Sequence, residues 1–243
     1  GFAGLAMWAI QLAWIPITAA GIINGTGHFW GYRNYSTDDT STNISPIGII
    51  IGGEELHNNH HAFGASAKFA HRWYEFDIGW IYIRMMSAVG LAHVRKVAPA
   101  LKIRTTEGEV DETLQAIITH RYRVMQEYAR VVKATAKAEF AARKARAGAA
   151  AADLPNVRQL LADFRADAAT LADAQRARLA AAFAASDALR QLYQKRQELV
   201  ALWGRSTESK EQLVARWKQW RASAEGSNIA PLQAFSLRLA RYA

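Results

Sequence analysis

Residues 47–61 read Ile47-Gly48-Ile49-Ile50-Ile51-Gly52-Gly53-Glu54-Glu55-Leu56-His57-Asn58-Asn59-His60-His61. An apolar run leads into two carboxylates and three histidines, and Pro46 suits the first turn of a helix. The stretch therefore predicts a helix over Ile47–His61. Residues three and four apart on a helix share a face, so His57, His60 and His61 project together. Three crowded imidazoles repel one another if protonated, and burying them without partners is costly. A cation resolves both problems by holding them neutral and coordinated. Imidazole serves zinc, copper, iron and nickel alike, so ligand type leaves the metal open. A zinc hydrolase would set a glutamate between its two metal-binding histidines as general base. Here Asn58 and Asn59 fill that space.

Working towards the N-terminus, residues 1–23 carry no charged side chain. That length crosses a hydrocarbon core of about 30 Å as a helix, and Gln11, Pro16 and Thr18 are each tolerated in a membrane helix. The alternative, a buried helix of a soluble protein, would show a polar face at helical spacing, and none appears. An integral membrane helix over about 1–23 is therefore expected. Asn24 and His28 follow, four residues apart. If the helix persists, both point one way, His28 joins the histidine site, and Asn24 is its direct or water-mediated polar partner. Residues 24–43 are polar and turn-rich and read as a loop leaving the membrane. Their Asn-x-Ser/Thr triplets at Asn24, Asn34 and Asn43 matter only in a secretory lumen. The chain opens on Gly1, inside the apolar run and without a basic leader, so a longer natural chain is expected rather than a signal peptide.

Towards the C-terminus, Trp73–Leu91 is apolar but interrupted by Asp77 and Arg84, which suits a helix lying along a membrane surface. His71, His93 and His120 have no companions in sequence and read as surface or interfacial residues. Beyond about Gly108 the chain turns rich in Ala, Arg and Leu. Helices are expected over 111–146, from a cap at Asp153 with Pro155 in its first turn to about Leu202, from a cap at Ser206 or Thr207 over 208–225, and over 232–242. Charge divides the same way. Residues 1–94 hold four basic and six acidic side chains, whereas residues 95–243 hold 26 and 15. The whole net charge of +9 thus lies in the second part. With no cysteine, thiolate metal sites, disulfides and cysteine nucleophiles are excluded. The expected organisation is all-α: a segment 1–98 with the membrane helix and a cytosolic helical cap carrying the histidines of 57–61, then a long-helix, coiled-coil-like basic tail, 99–243. Self-association, partner docking or contact with anionic lipid suits that tail. A nucleic-acid role is not expected, because no groove-reading motif is present; Tyr193, Trp203, Trp217 and Trp220 read as packing residues.

The order Asn24-x-x-x-His28, Gly31-Tyr32-Arg33, Asn43-Ile44-Ser45-Pro46 and Gly53-Glu54-Glu55-x-His57-Asn58-Asn59-His60-His61-Ala62-Phe63 resembles the membrane acyl desaturases, including stearoyl-CoA desaturase. Trp73, Asp77-Ile78-Gly79-Trp80, Gly90-Leu91-Ala92 and Arg95-Lys96-Val97 continue the resemblance, nearest to bacterial members, over roughly residues 1–100. The resemblance implies a di-iron centre held almost wholly by histidines. His57, His60 and His61 match the third histidine box of the family, His28 an additional ligand, and Asn24 the polar residue that reaches the metal through water. Two upstream boxes of the family, H-x-x-x-x-H and H-x-x-H-H, have no counterpart in these 243 residues. The segment is then expected to hold about half the ligands and not to be catalytic alone. For the intact protein the resemblance implies insertion of a cis double bond into an acyl-CoA or acyl-lipid, with dioxygen and electrons from a ferredoxin or a cytochrome. It also implies an integral membrane location with the histidines and tail on the cytoplasmic side. The alternatives are a related histidine-box hydroxylase or ketolase, or a non-catalytic helical module at the membrane surface.

Overall fold

A computed structural model of the chain describes residues 1–147, 156–166, 171–204 and 208–243. It divides into two compact units, Gly1–Ala100 and Leu101–Ala243; the second is mostly helical, whereas the first joins a few helices through long irregular segments. The expected caps Asp153, Ser206 and Thr207 and the turn residue Pro155 lie outside the described residues.

The first unit begins with α1 (Phe2–Ile15), which runs on as a π-helical stretch, Pro16–Thr26. Pro16 has no N–H to donate to the turn before it, and the Thr18 hydroxyl bonds back to the Trp14 carbonyl at 2.8 Å. None of the α1 residues is buried, and Phe2, Leu5, Met7, Trp8, Ile10, Leu12 and Trp14 all stand exposed. Together Phe2–Thr26 form one helix long and apolar enough to cross a membrane.

The helix expected over Ile47–His61 does not form as one piece. Ile47–Gly48 is a short strand, β1, paired in parallel with β2 (Phe76–Asp77). A turn follows, and only α2 (His57–Ala62) is helical. The reason lies in two glycines and one carboxylate. Gly52 and Gly53 have φ of 65° and 100°, a region that glycine enters at little cost. Glu55 Oε1 accepts the N–H groups of Ile50 and Ile51 at 2.6 and 3.2 Å, satisfying donors that a helix would have used. A Cβ on Gly53 would sit 2.4 Å from Asp77 Oδ1. Asp77 in turn caps α3 (Ile78–Ala88) through the Trp80 N–H, 2.9 Å. This α3 lies within the apolar helix expected over 73–91.

The second unit builds α4 (Val110–Thr119), α5 (Arg121–Ala147), α6 (Val157–Arg165), α7 (Asp173–Ala185), α8 (Asp187–Val200), α9 (Lys210–Glu225) and α10 (Ala230–Leu239). Two expected long helices are broken. The helix over 111–146 interrupts at His120, and α4 packs on α9 while α5 packs on α6, α8 and α10. The helix expected to reach Leu202 divides into α6, α7 and α8. Ser186, at φ −153°, starts α8 by accepting the Leu189 N–H. Ser209, not an earlier residue, caps α9, in a capping box with Gln212. Breaks at these points let short amphipathic helices turn back on one core instead of extending past it.

That core is aromatic. Trp217 and Trp220, one turn apart on α9, stack with ring centroids 5.4 Å apart. Both are almost fully buried. Trp220 Nε1 donates to the Lys195 carbonyl at 2.8 Å, and the Tyr128 hydroxyl donates to the Leu192 carbonyl at 2.6 Å. The two ends of the unit are zipped together: Lys102 and Ala243 exchange backbone hydrogen bonds of 3.0 and 2.9 Å. His120, expected as a surface or interfacial residue, is instead buried at the α4–α5 break.

Two outcomes follow from this packing. Trp220→Ala removes a buried ring and its hydrogen bond to the Lys195 carbonyl. It should destabilise the second unit by about 3–5 kcal/mol, read by denaturant unfolding followed by circular dichroism. His120 has its pKa lowered from 6.5 to about 4, first by burial and then by nearby Arg123. The unfolded chain therefore binds this proton more readily than the folded one. Stability from neutral His120 is fully present above pH 6.5 and should fall as pH drops towards 4. His120→Gln should flatten that part of the melting-temperature profile.

Candidate metal centre

The histidine site is set up by two side chains that take no part in it. Asn59, fully buried on α2, accepts at Oδ1 from Asn34 Nδ2 and Asn43 Nδ2, at 2.9 and 3.1 Å. Its own Nδ2 donates to the Phe69 carbonyl and to Glu75 Oε2, at 2.9 and 2.8 Å. Glu75 also accepts from the Tyr32 hydroxyl, from Asn34 Nδ2 and from the N–H groups of His71 and Arg72. Asn58 binds the preceding loop: its Oδ1 accepts the N–H groups of Asn34 and Tyr35, each at 2.9 Å. The two asparagines that separate the histidines are thus fasteners, tying α2 to the loop over 32–43 and to the segment over 69–75. Gly31, at φ 146°, lets the chain enter that loop; a Cβ there would lie 2.3 Å from the Asn43 carbonyl.

On this frame His28, His57 and His61 meet. One ring nitrogen of each lies within 4.8 Å of the others. His57 Nε2 and His28 Nε2 are 3.2 Å apart. Two nitrogens each ~2.1 Å from one ion at a tetrahedral angle would be ~3.4 Å apart, so the spacing suits two ligands of a single metal. The remaining ring nitrogens face away from the cluster. His61 Nδ1 bonds Asp39 Oδ2 at 2.5 Å. His28 Nδ1 lies 3.3 Å from the Thr40 hydroxyl. His57 Nδ1 lies 3.8 Å from Glu54 Oε2 and has no hydrogen bond. Burial and the neighbouring His57 and His61 push the His28 pKa down, which favours the neutral ring that a metal requires. Burial opposes ionisation of Asp39, but hydrogen bonds from Ser41, Thr37 and His61 outweigh it and hold the carboxyl well below the usual range.

His60 and Asn24 stand differently. The His60 ring centroid is 5.7 Å from His61 and 6.3 Å from His57, and it packs on Phe69 at 4.8 Å. Its Nδ1 is buried without a hydrogen bond, and burial pushes its pKa down. Asn24 is exposed on the π-helical stretch, and its side chain makes no hydrogen bond to the cluster among the described residues. His71, expected as a surface or interfacial residue, is half-buried and held edge-on between Tyr35 and Phe63. Sequence reading missed Asp39, Glu75, Asn34 and Asn43. Asp39 sat unremarked in a polar turn, Asn34 drew attention only as a possible glycosylation acceptor, and Asn43 only as that and as part of the family pattern, with no structural role assigned.

Comparison with known proteins separates the two units. A transposase family model of the ISL3 DDE type matches residues 111–243, more than half the chain. The chain belongs to this transposase family. The transposase-family residues lie wholly within the second unit, the part for which sequence motifs offered no home. Curated relatives of a different kind match a shorter stretch. A Delta-9 desaturase-like 1 protein of Arabidopsis thaliana is 38% identical over 103 residues, covering 36% of this chain and 34% of the relative. An sn-1 stearoyl-lipid 9-desaturase of Anabaena variabilis is 35% identical over 92 residues, 38% of this chain and 31% of the relative. An icosanoyl-CoA 5-desaturase of Limnanthes douglasii is 46% identical over 70 residues, 29% of this chain and 20% of the relative. The transposase-family chain thus spans about a third or less of the desaturases it is similar to. No solved structure gives a significant match.

The fasteners yield a test. Asn59→Leu keeps the branched shape but leaves the Glu75 carboxylate and the Asn34 and Asn43 amides short of a partner inside the unit. Buried groups orphaned this way cost about 1–3 kcal/mol each, so the first unit should lose several degrees of melting temperature in detergent. An unchanged melting temperature would remove the fastener role.

Proposed function

We propose that the first unit is the part of a membrane acyl desaturase that carries about half of a histidine-rich di-iron centre. One observation carries the reading: His28, His57 and His61 converge at the end of an apolar 25-residue helix, with a hydrogen-bonding partner on the outer nitrogen of two of them. The names of the relatives supply the reaction class. In this reading His28, His57 and His61 hold one iron. His60, on the same helix with a buried unpartnered nitrogen, serves the second, whose other ligands come from residues beyond these 243. Asn24 reaches the metal through water. When bound, the iron pair supplies dioxygen activation for removal of two hydrogens from adjacent methylenes. The chain's own contribution is to fix ring orientation, to keep the imidazoles neutral and to set the site beside a lipid-facing helix. The substrate is an acyl-lipid or acyl-CoA, the electrons come from a ferredoxin or cytochrome, and the centre and the second unit face the cytoplasm. The segment alone is then inactive.

The test extends the chain upstream to the length of its relatives and places it in a host lacking its own desaturase. About two irons per chain and an unsaturated acyl product are expected, and His60→Ala should abolish the product. An oxygenated product would indicate a hydroxylase or ketolase instead. A single zinc, or no metal, would overturn the reading.

A specific observation favours a separate reading for the second unit. Its family match is to transposases, and it holds 24 basic and 15 acidic residues. We infer that its basic surface contacts DNA, reversing the expectation drawn from motifs alone. Binding of the second unit to duplex DNA should weaken steeply with salt, because phosphate contacts release counterions. Binding to anionic vesicles but not to DNA would favour a membrane-surface role.

A further inference from the structure

We propose that Asp39 is a positioning residue for the metal centre: it orients His61 and makes that ring the strongest donor of the three. This rests on the metal reading of the first unit given above. The three converging histidines differ in what holds the outer nitrogen. His61 has a carboxylate at 2.5 Å, His28 a hydroxyl at 3.3 Å, and His57 only a carboxylate at 3.8 Å. A carboxylate on the outer N–H of a ligating histidine fixes its tautomer and raises its basicity.

The carboxylate is itself tightly placed. Asp39 Oδ1 accepts the Thr37 hydroxyl at 2.8 Å and the Ser41 N–H at 3.0 Å, which leaves Oδ2 for His61. Arg33 clasps the same turn from inside, donating to the carbonyls of Tyr35, Thr37 and Asp39. Asn58 then ties the turn to α2: its Nδ2 donates to the Tyr35 carbonyl at 3.1 Å and approaches the Thr37 and Ser41 hydroxyls. Asn58 stands next to His57 and three residues before His61. Bonds therefore close a ring from His61 through Asp39 and the turn back to the helix that carries His61. Such a closed path leaves the imidazole little freedom to rotate, and its inner Nε2 stays directed at His28 and His57.

Asp39→Asn is the discriminating change. The amide oxygen can keep the bonds from Thr37 and Ser41, but the amide N–H₂ then faces His61 Nδ1. That nitrogen must become an acceptor, and the ring proton moves to Nε2, the nitrogen needed for the metal. Cobalt(II) titrated alone into the full chain in detergent should bind 10–100-fold more weakly to Asp39→Asn than to the parent. Nitrogen-15 histidine spectra of the metal-free chain should show His61 switching from the Nδ1–H to the Nε2–H tautomer while His28 and His57 keep their shifts. Asp38→Asn, the same charge change one residue away, should alter neither readout. Three results would overturn the proposal: equal cobalt affinity in Asp39→Asn, an equal loss in Asp38→Asn, or simultaneous movement of all three histidines, which marks a collapsed turn. Failure of the parent chain to bind cobalt would instead remove the metal reading, and this inference with it.

Discussion

The first unit depends on one buried constraint: Asn59 and Glu75 must satisfy each other's hydrogen-bonding groups together with those of Asn34, Asn43 and Tyr32. Unpaired, each of these buried or half-buried groups would cost free energy. Paired, they specify one arrangement of three chain segments, because a side chain with several directional bonds has few alternative seats. The histidines are passengers on that arrangement. Their spacing on α2 brings His57 and His61 to one face, but His28 arrives only because the turn after it is bonded through Thr42 to the Gly27 and Trp30 carbonyls. The apolar surface of the unit is by contrast turned outward along α1, so polar pairing, rather than a large apolar core, holds the site.

The second unit rests on the opposite physics. Its centre is Trp217, Trp220, Tyr128 and Phe235 in ring-to-ring contact, surrounded by leucines. Aromatic pairs of this geometry add to the burial of large surfaces, and the polar tips of Trp220 and Tyr128 each donate to a backbone carbonyl. Charge follows the same division. The first unit is balanced, with six basic and six acidic residues, and all of the net charge of +9 belongs to the second. A chain that joins an apolar, metal-suited unit to a basic transposase-family unit combines two solvents' worth of design: one unit presents apolar side chains and the other presents charge.

Secondary structure was legible where local chemistry was strong. The apolar helix from Phe2, the helical character of the second unit and the final helix at Pro231 all follow from composition, period and caps. Errors fell where tertiary bonds outweighed local preference. Ile47–His61 looked helical because its isoleucines are apolar, but Glu55 captured the Ile50 and Ile51 N–H groups and Gly52 and Gly53 took positive φ. Helix breaks at His120 and Ser186 carried no glycine or proline signal, since they exist to let neighbouring helices reach one core.

By itself the sequence determined that His57 and His61 share a face, that an apolar helix stands upstream, and that the net charge is confined to the second part, because each property depends only on residue type and helical spacing. Tertiary structure alone decided that His28 joins His57 and His61 while His60 turns towards Phe69, that Asn58 and Asn59 fasten rather than catalyse, and that Asp39 supports His61 from 22 residues away. Hydrogen bonds between segments so far apart in the chain leave no periodic trace, so no spacing rule could have announced them.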